Sequence, residues 1–406
     1  MILIALLFTF SVFADFHSTD LVNCSIRQEM RIDQEGYLQA KVLYADAKSQ
    51  FLPTLSAGIT PTANRVREEN SNASVTSLSL EQKLLDLENW TLKDVADVGV
   101  KISLLTILQR SYENSNSALD TLVSINLLEN QRRLLEIQYQ SFKLSMQIIS
   151  TGSKLGISDS NDLLQLQATV FSNESELKRL EFEIQLQKAN FERFFGYRSV
   201  SIGEITLVPE QKKVVVEKIP TVSVLTALVE QSELQRKALN RGMLPTLSLR
   251  GSYSTVTADH PSQRGRYPQS DASVALVVDV SNIWKESDQR SLQQPIVNNR
   301  SNRLAYTSKI LTNEFDQIEN EISVLKQRLP ILEKRVDVTQ ESKKVSQAKL
   351  RLGRMSFLEL QQAEVAAFNA SNDLFSLELR LKQLLIKKEL AMGFDTSQPI
   401  KVTCQL

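Results

Sequence analysis

The sequence predicts a mainly α-helical fold with a small β part, internally duplicated. Three observations carry that prediction. The pentapeptide LPTLS occurs twice, starting at Leu52 and Leu244, and the residues around each copy recur in the same order. Two long tracts are nearly free of glycine and proline and carry apolar residues at heptad spacing. Each LPTLS also opens a stretch in which apolar and polar residues alternate with period two.

The duplication is clearest at a second pair of landmarks. KLG at Lys154–Gly156 returns as RLG at Arg351–Gly353, an offset of 353 − 156 = 197. The same offset carries Asp162 onto Glu359, Leu163 onto Leu360, Gln165 onto Gln362, Phe171 onto Phe368 and Gly196 onto Gly393 without a gap. The expected organisation is a signal peptide over 1–14, a first repeat over 15–197, a linker over 198–220, a second repeat over 221–395 and a tail over 396–406. Each repeat holds a helix, a β-hairpin, a long helix and a return helix.

Along the chain, MILIALLFTFSVFA gives an apolar run from Ile2 to Phe13 and the small-residue pattern Val12-x-Ala14, a secretory signal expected to be cut after Ala14. After the first LPTLS, Leu55, Ala57 and Ile59 oppose Thr54, Ser56, Gly58 and Thr60, and NASVTSLSLEQ supplies the second strand. The long helix is expected over about Asn89–Ser150, with a seam through Ile125, Leu128, Leu135, Tyr139, Phe142, Met146 and Ile149. A helix of some 60 residues extends roughly 90 Å, too long for an ordinary compact core. After Gly156 a return seam runs through Leu163, Leu166, Val170, Leu177, Leu180, Ile184 and Phe191.

In the second half, Leu247, Leu249, Gly251, Tyr253 and Thr255 share one strand face. The segment DASVALVVDVS continues the alternation as far as Val280 and Ser281. The polar stretches ANRVREENSN and TADHPSQRGRYPQSD read as hairpin loops. A second long helix is expected over about Asn302–Leu350 through Ile318, Ile322, Leu325, Leu329, Leu332 and Val336, kinked at Pro330. Its return seam runs through Leu360, Ala363, Ala367, Ala370, Leu374, Leu377, Leu381 and Leu384.

Composition removes several function classes. The 47 basic and 47 acidic residues balance, so no surplus positive charge is present to displace counterions from nucleic acid. The histidines are His17 and His260 alone, no His/Cys spacing for a metal exists, and no nucleophile motif sits at a strand-to-helix turn, so no cofactor and no enzymatic activity are expected. An exported chain without a long apolar helix is either soluble or inserted as a β-barrel. Four alternating strands cannot close a barrel of useful bore, so several chains must contribute. An exported soluble coiled-coil scaffold or adaptor explains the heptads but not the strands.

With both LPTLS hairpins, both long helices and the turns KLGISDSND and RLGRMSFLE in duplicate, the chain resembles the TolC family of outer-membrane efflux proteins over nearly its whole mature length. The resemblance implies a homotrimer with a 12-stranded outer-membrane β-barrel set in lipid and a long antiparallel coiled-coil α-barrel. That barrel would project as a tunnel into the periplasm. It implies a passive exit duct for efflux or secretion, served by a periplasmic adaptor and an inner-membrane transporter.

By position, the turns at Gly156 and Gly353 form the tunnel's lower end. Asp162 and Glu359 match the family's carboxylates at the entrance, although Ser356-Phe-Leu-Glu359 also reads as a helix capping box. Lys154, Arg351 and Arg354 flank the turns, as adaptor contacts or as solvated hairpin ends. Leu350, Met355 and Gln362 depart from the family's closing latch. Cys24 and Cys404 suggest a disulfide in an exported chain, with PIKVTCQL pairing to KKVVVEK; Leu21-Val22-Asn23-Cys24 offers lipidation as the alternative.

Overall fold

The computed structural model describes residues 16–17, 29, 31–66, 69–154, 160–195, 205–206, 214–259, 265–277, 280–352 and 354–393. The expected signal peptide, both cysteines, Gly156, Gly353 and the tail over 396–406 lie outside them. The strands are β1 (Phe16–His17), β2 (Thr54–Val66), β3 (Glu69–Leu85), β4 (Ile205–Thr206), β5 (Thr246–Asp259) and β6 (Gly265–Val277). The helices are α1 (Gln34–Ser49), α2 (Leu87–Lys154), α3 (Ser160–Phe195), α4 (Pro220–Arg241), α5 (Val280–Arg351) and α6 (Phe357–Gly393).

The chain divides into two compact units, each drawing on both halves of the sequence. One comprises 1–30, 108–219 and 309–406, the other 31–107 and 220–308. In the second unit β2, β3, β5 and β6 form a four-stranded antiparallel sheet in that order. The junction from sheet to helix is set by Asp86, which is buried. Its Oδ1 accepts the backbone N–H of Asn89 at 3.0 Å, and its Oδ2 lies 3.1 Å from Lys83 Nζ. An aspartate in this place satisfies one of the donors that a helix start leaves free. Nearby, Phe51 and Trp90 pack as tilted rings 6.3 Å apart. Arg300 donates to the Leu228 carbonyl at 2.9 Å and Arg241 to Thr91 Oγ1 at 2.9 Å, tying α4 to α5 and α2.

The strands run further than the alternation implied. The stretch ANRVREENSN, expected as a loop, is largely ladder, with Arg65 paired to Asn70 and Val66 to Glu69. Backbone groups pair whatever the side chains are, so polarity alone does not end a hairpin. At the other end β6 stops at Val277, and Val280 and Ser281, expected in the strand, open α5. One residue is inserted between Lys83 and Leu85 of β3 against Ser248 and Leu247 of β5, a β-bulge just before the sheet gives way to helix.

In the first unit the C-terminal parts of α2 and α5 pack with α3 and α6. Ile125, Leu135, Phe142 and Ile149 of α2 are buried, as are Leu166, Val170, Leu180, Ile184 and Phe191 of α3, following the heptads. Ion pairs mark both pairings as antiparallel. Arg132 meets Glu181 at 3.4 Å and Glu129 meets Lys188 at 2.5 Å between α2 and α3, while Arg335 meets Asp373 at 2.9 Å and Lys388 meets Glu319 at 2.9 Å between α5 and α6. Buried Leu377, Leu379, Leu384 and Ile386 spread around α6, because it touches α2 as well as α5; Lys387 reaches Asp120 at 3.0 Å.

α5 passes through Pro295 and Pro330 as one helix. Both prolines are exposed, so water can take up the carbonyls that lose a donor. The linker segment KKVVVEK is not a strand where it is described: Val216–Lys218 form a 3-10 turn with Val216 buried. The linker's ladder partner is instead the N-terminal β1, with Phe16 opposite Ile205.

Candidate functional site

Cross-strand register sorts the sheet into two chemically opposite faces. One face carries the rows Leu55–Leu80–Gly251–Ala272 and Ala57–Leu78–Tyr253–Ser270, with Leu249 beside Val274. The other carries Thr54–Glu81–Arg250–Ser273 and Ser56–Ser79–Ser252–Asp271, with Ser56 and Ser79 hydroxyls hydrogen-bonded at 2.6 Å. On the polar face the inner strands β3 and β5 are partly covered and the edge strands largely open, while the apolar face has exposed side chains on all four strands. Leu55, Ile59, Leu78, Tyr253, Val274 and Leu276 are exposed, whereas Ser77, Ser79, Ser252 and Ser254 are half-buried. Among the described residues β2 and β6 each keep one side without a ladder partner. An apolar outer face and open edges on one sheet call for a nonpolar surround and further strands.

The second candidate region is where α2 and α5 turn back. Glu359 and Ser356 form a reciprocal box: Glu359 N–H donates to Ser356 Oγ at 3.3 Å, and Ser356 N–H donates to a Glu359 carboxylate oxygen at 3.2 Å. Both residues are exposed. Asp162 is the third residue of α3, and its side chain lies outside the described ones. Lys154 and Arg351 are the last residues of α2 and α5, and Arg351 is exposed. Arg354 is exposed too, with its N–H on the Lys349 carbonyl at 2.9 Å, satisfying a carbonyl in the last turn of α5.

Between these ends lies a feature that the sequence did not disclose. Phe357, fully buried, packs with Phe142, Ile149, Leu166 and Val170, its ring edge-on to Phe142 at 5.8 Å. The internal repeat hides it, because the offset of 197 aligns it with Ser160. Two turns further on, buried Glu364 accepts from Ser141 Oγ and Gln347 Nε2, each at 2.7 Å, and its second oxygen lies 2.7 Å from Lys343 Nζ. This hub joins α2, α5 and α6. Its first-half counterpart by offset is Gln167, so neither repeat nor heptad marks it. Higher on the same helices, two hydrogen bonds from Arg380 hold the Glu321 carboxyl below its ordinary value and raise the guanidinium in turn.

Among the described residues no helix is long and apolar enough to cross a membrane, and no three His, Cys, Asp or Glu side chains converge as a metal site. No protein-family model and no curated protein matches the sequence. Solved structures do. The outer membrane protein VceC of Vibrio cholerae superposes with a TM-score of 0.77 over 93% of this chain and 96% of its own, at 13% identity. The outer-membrane channel OprN gives 0.76 over 94% and 93%, at 14% identity. The CmeC outer membrane channel of Campylobacter jejuni gives 0.72 over 94% and 87%, at 12% identity. This chain has a TolC-like fold.

The TolC-like fold accounts for the arrangement of elements at identities too low to carry residue roles. Mostly helical chains with one small antiparallel sheet recur across these channels. Within the TolC-like fold the apolar sheet face, the capped turn at Glu359 and the Glu364 hub are features of this chain's own residues.

Proposed function

We propose that three copies of this chain form a passive outer-membrane exit duct for efflux or secretion, each contributing four strands to a 12-stranded barrel. The carrying observation is the two-faced sheet, with Leu55, Ile59, Tyr253, Val274 and Leu276 exposed on one face, Ser77, Ser79, Ser252 and Ser254 of the inner strands half-buried on the other and, among the described residues, both edge strands open. The similarity to outer-membrane channels supports it. In this reading the helices line a periplasmic tunnel, and a periplasmic adaptor with an inner-membrane pump supplies substrate and energy, so the chain itself catalyses nothing. A soluble scaffold would leave the apolar face in water without a purpose.

Asp162 and Glu359 are proposed as the carboxylates of the tunnel mouth, and Lys154, Gly156, Arg351, Gly353 and Arg354 as the turn residues that meet the adaptor. Cys24 and Cys404 are proposed as a disulfide closing nearly the whole chain, which by loop entropy stabilises by several kcal/mol. Intact-mass measurement of the non-reduced mature protein should show no free thiol; two free thiols or an acylated Cys24 would end that pairing. The duct itself is tested by membrane fractionation followed by chemical cross-linking in detergent. A protein that floats with the outer membrane and stops at three linked chains is expected, and a freely soluble monomer overturns the proposal.

A further inference from the structure

The polar face of the sheet changes character along the strands. From the Ser56–Ser79 pair, bonded at 2.6 Å, toward the hairpin ends it carries hydroxyls that the sheet itself satisfies, with Ser77 donating to the Gly58 carbonyl at 3.4 Å. Among the described side chains of this face the charged ones are Lys83, Glu81, Arg250 and Asp271, and they fall in three successive rows toward the helix end of the sheet. Lys83 is held by buried Asp86 at 3.1 Å. The other three form a compensated group, one cation against two anions. Glu81 stands directly opposite Arg250 on β3, and Asp271 lies on β6 two residues from Ser273, the partner of Arg250 on its other side. Opposed Cβ atoms are about 4.5–5.5 Å apart and diagonal neighbours about 7–8 Å, both within the reach of an arginine.

We infer that Arg250 is the counter-charge to a belt of carboxylates inside the barrel and sets the duct's preference between anions and cations. The inference rests on the trimeric duct proposed above and names the residue that tunes what it passes. Glu81 and Asp271 against Arg250 leave one negative charge per chain and three in the trimer, whereas without the arginine the same belt holds six. Rotation about the barrel axis keeps the copies at one height, so these charges form a ring. A barrel of 12 strands lies between eight-stranded barrels, which side chains fill, and those of 16–18 strands, which leave an open channel. In so confined a lumen like charges focus the potential.

Stability does not account for the arginine. Arg250 and Asp271 are exposed and Glu81 is half-buried, so solvent screening leaves such pairs little hold on the strands. Among the described side chains Arg250 is the cation of this face that no buried carboxylate holds, and it therefore acts on whatever shares the lumen with it.

The test records single channels of the purified full chain in planar lipid bilayers at about 0.01 M salt, where charges act over about 30 Å rather than the roughly 8 Å of physiological ionic strength. Arg250→Gln should raise the cation-to-anion permeability ratio several-fold, Arg250→Lys should keep it and Asp271→Asn should lower it. The differences should vanish near 1 M salt, where screening acts within about 3 Å. Trimeric channels with one and the same selectivity in all three variants overturn the belt and leave the duct standing. If Arg250→Gln fails to assemble, Asp271→Asn decides, on an exposed residue that accepts from Gln269 Nε2 at 3.4 Å: a lowered ratio is expected, and an unchanged one overturns the belt. An unsubstituted chain that forms neither trimer nor channel overturns the belt together with the duct.

Discussion

At the scale of single residues, two carboxylates separate cleanly by what they touch. Glu359 is exposed and holds a helix start; Glu364 is buried and holds three helices. Glu359→Gln retains an acceptor for the Ser356 N–H, so it should leave thermal stability unchanged. Glu359→Ala should lose about 0.5–1 kcal/mol in a melting comparison. If the carboxylate also lines the tunnel mouth, single-channel recording of Glu359→Gln should show reduced cation selectivity, because like charges around a narrow opening focus the potential. Selectivity equal to the unsubstituted protein leaves Glu359 as a cap alone. Glu364→Ala is a different experiment. It strands Lys343, 16% exposed, together with Ser141 and Gln347, and should cost about 2–4 kcal/mol, read as a shift in the denaturation midpoint. Glu364→Gln, which keeps two hydrogen bonds but drops the ion pair, should cost less.

At the scale of elements, each helical hairpin follows from its heptads, and burial of Phe142, Leu166, Leu180 and Leu360 lies where that spacing put it. Less was legible where a residue answers to a partner outside its own repeat. Phe357 and Glu364 are buried because the return helix α6 meets α2 as well as α5, a three-way contact that no single periodicity encodes. Strand ends escape local composition for a related reason: ladder hydrogen bonds between β2 and β3 continue through polar residues whose composition predicts a loop. At the candidate site the Ser356–Glu359 capping contact was legible from residue spacing, whereas the contacts of Phe357 and Glu364 beside it were not.

The α5–α6 ladder also carries a pH dependence. Arg380 lowers the pKa of Glu321 from its ordinary 4.5, so the stabilisation is complete above that value and disappears as pH falls through the lowered one. Both partners are some two-fifths exposed, which limits the pair to roughly 0.2–1 kcal/mol. Glu321→Gln should therefore be slightly less stable at pH 7 and equal to the unsubstituted chain at the acid end. A deficit that persists undiminished there would assign the role to packing instead.

At the scale of the whole molecule, the decisive property is that one sheet presents opposite chemistry on its two sides, with nothing among the described residues covering the apolar one. Val274 and Ser273 are neighbours in β6, opposite Leu249 and Arg250, and they point to opposite faces. Both are exposed in the single chain, so a soluble protein would tolerate arginine at either position about equally. A barrel in lipid treats them differently. Arginine on the lipid face costs about 2–4 kcal/mol near the bilayer midplane and less toward the interfaces, and three copies pay it together; arginine on the polar face meets water. Val274→Arg should therefore deplete the protein from the outer membrane and lose the heat-resistant trimer, whereas Ser273→Arg should insert normally. Ser273→Arg should also shift channel selectivity toward anions by adding three positive charges beside the Glu81–Arg250 row. Equal insertion of the two variants would mean that the apolar face does not meet lipid, and the duct reading would fall at its foundation while the fold of the single chain stood.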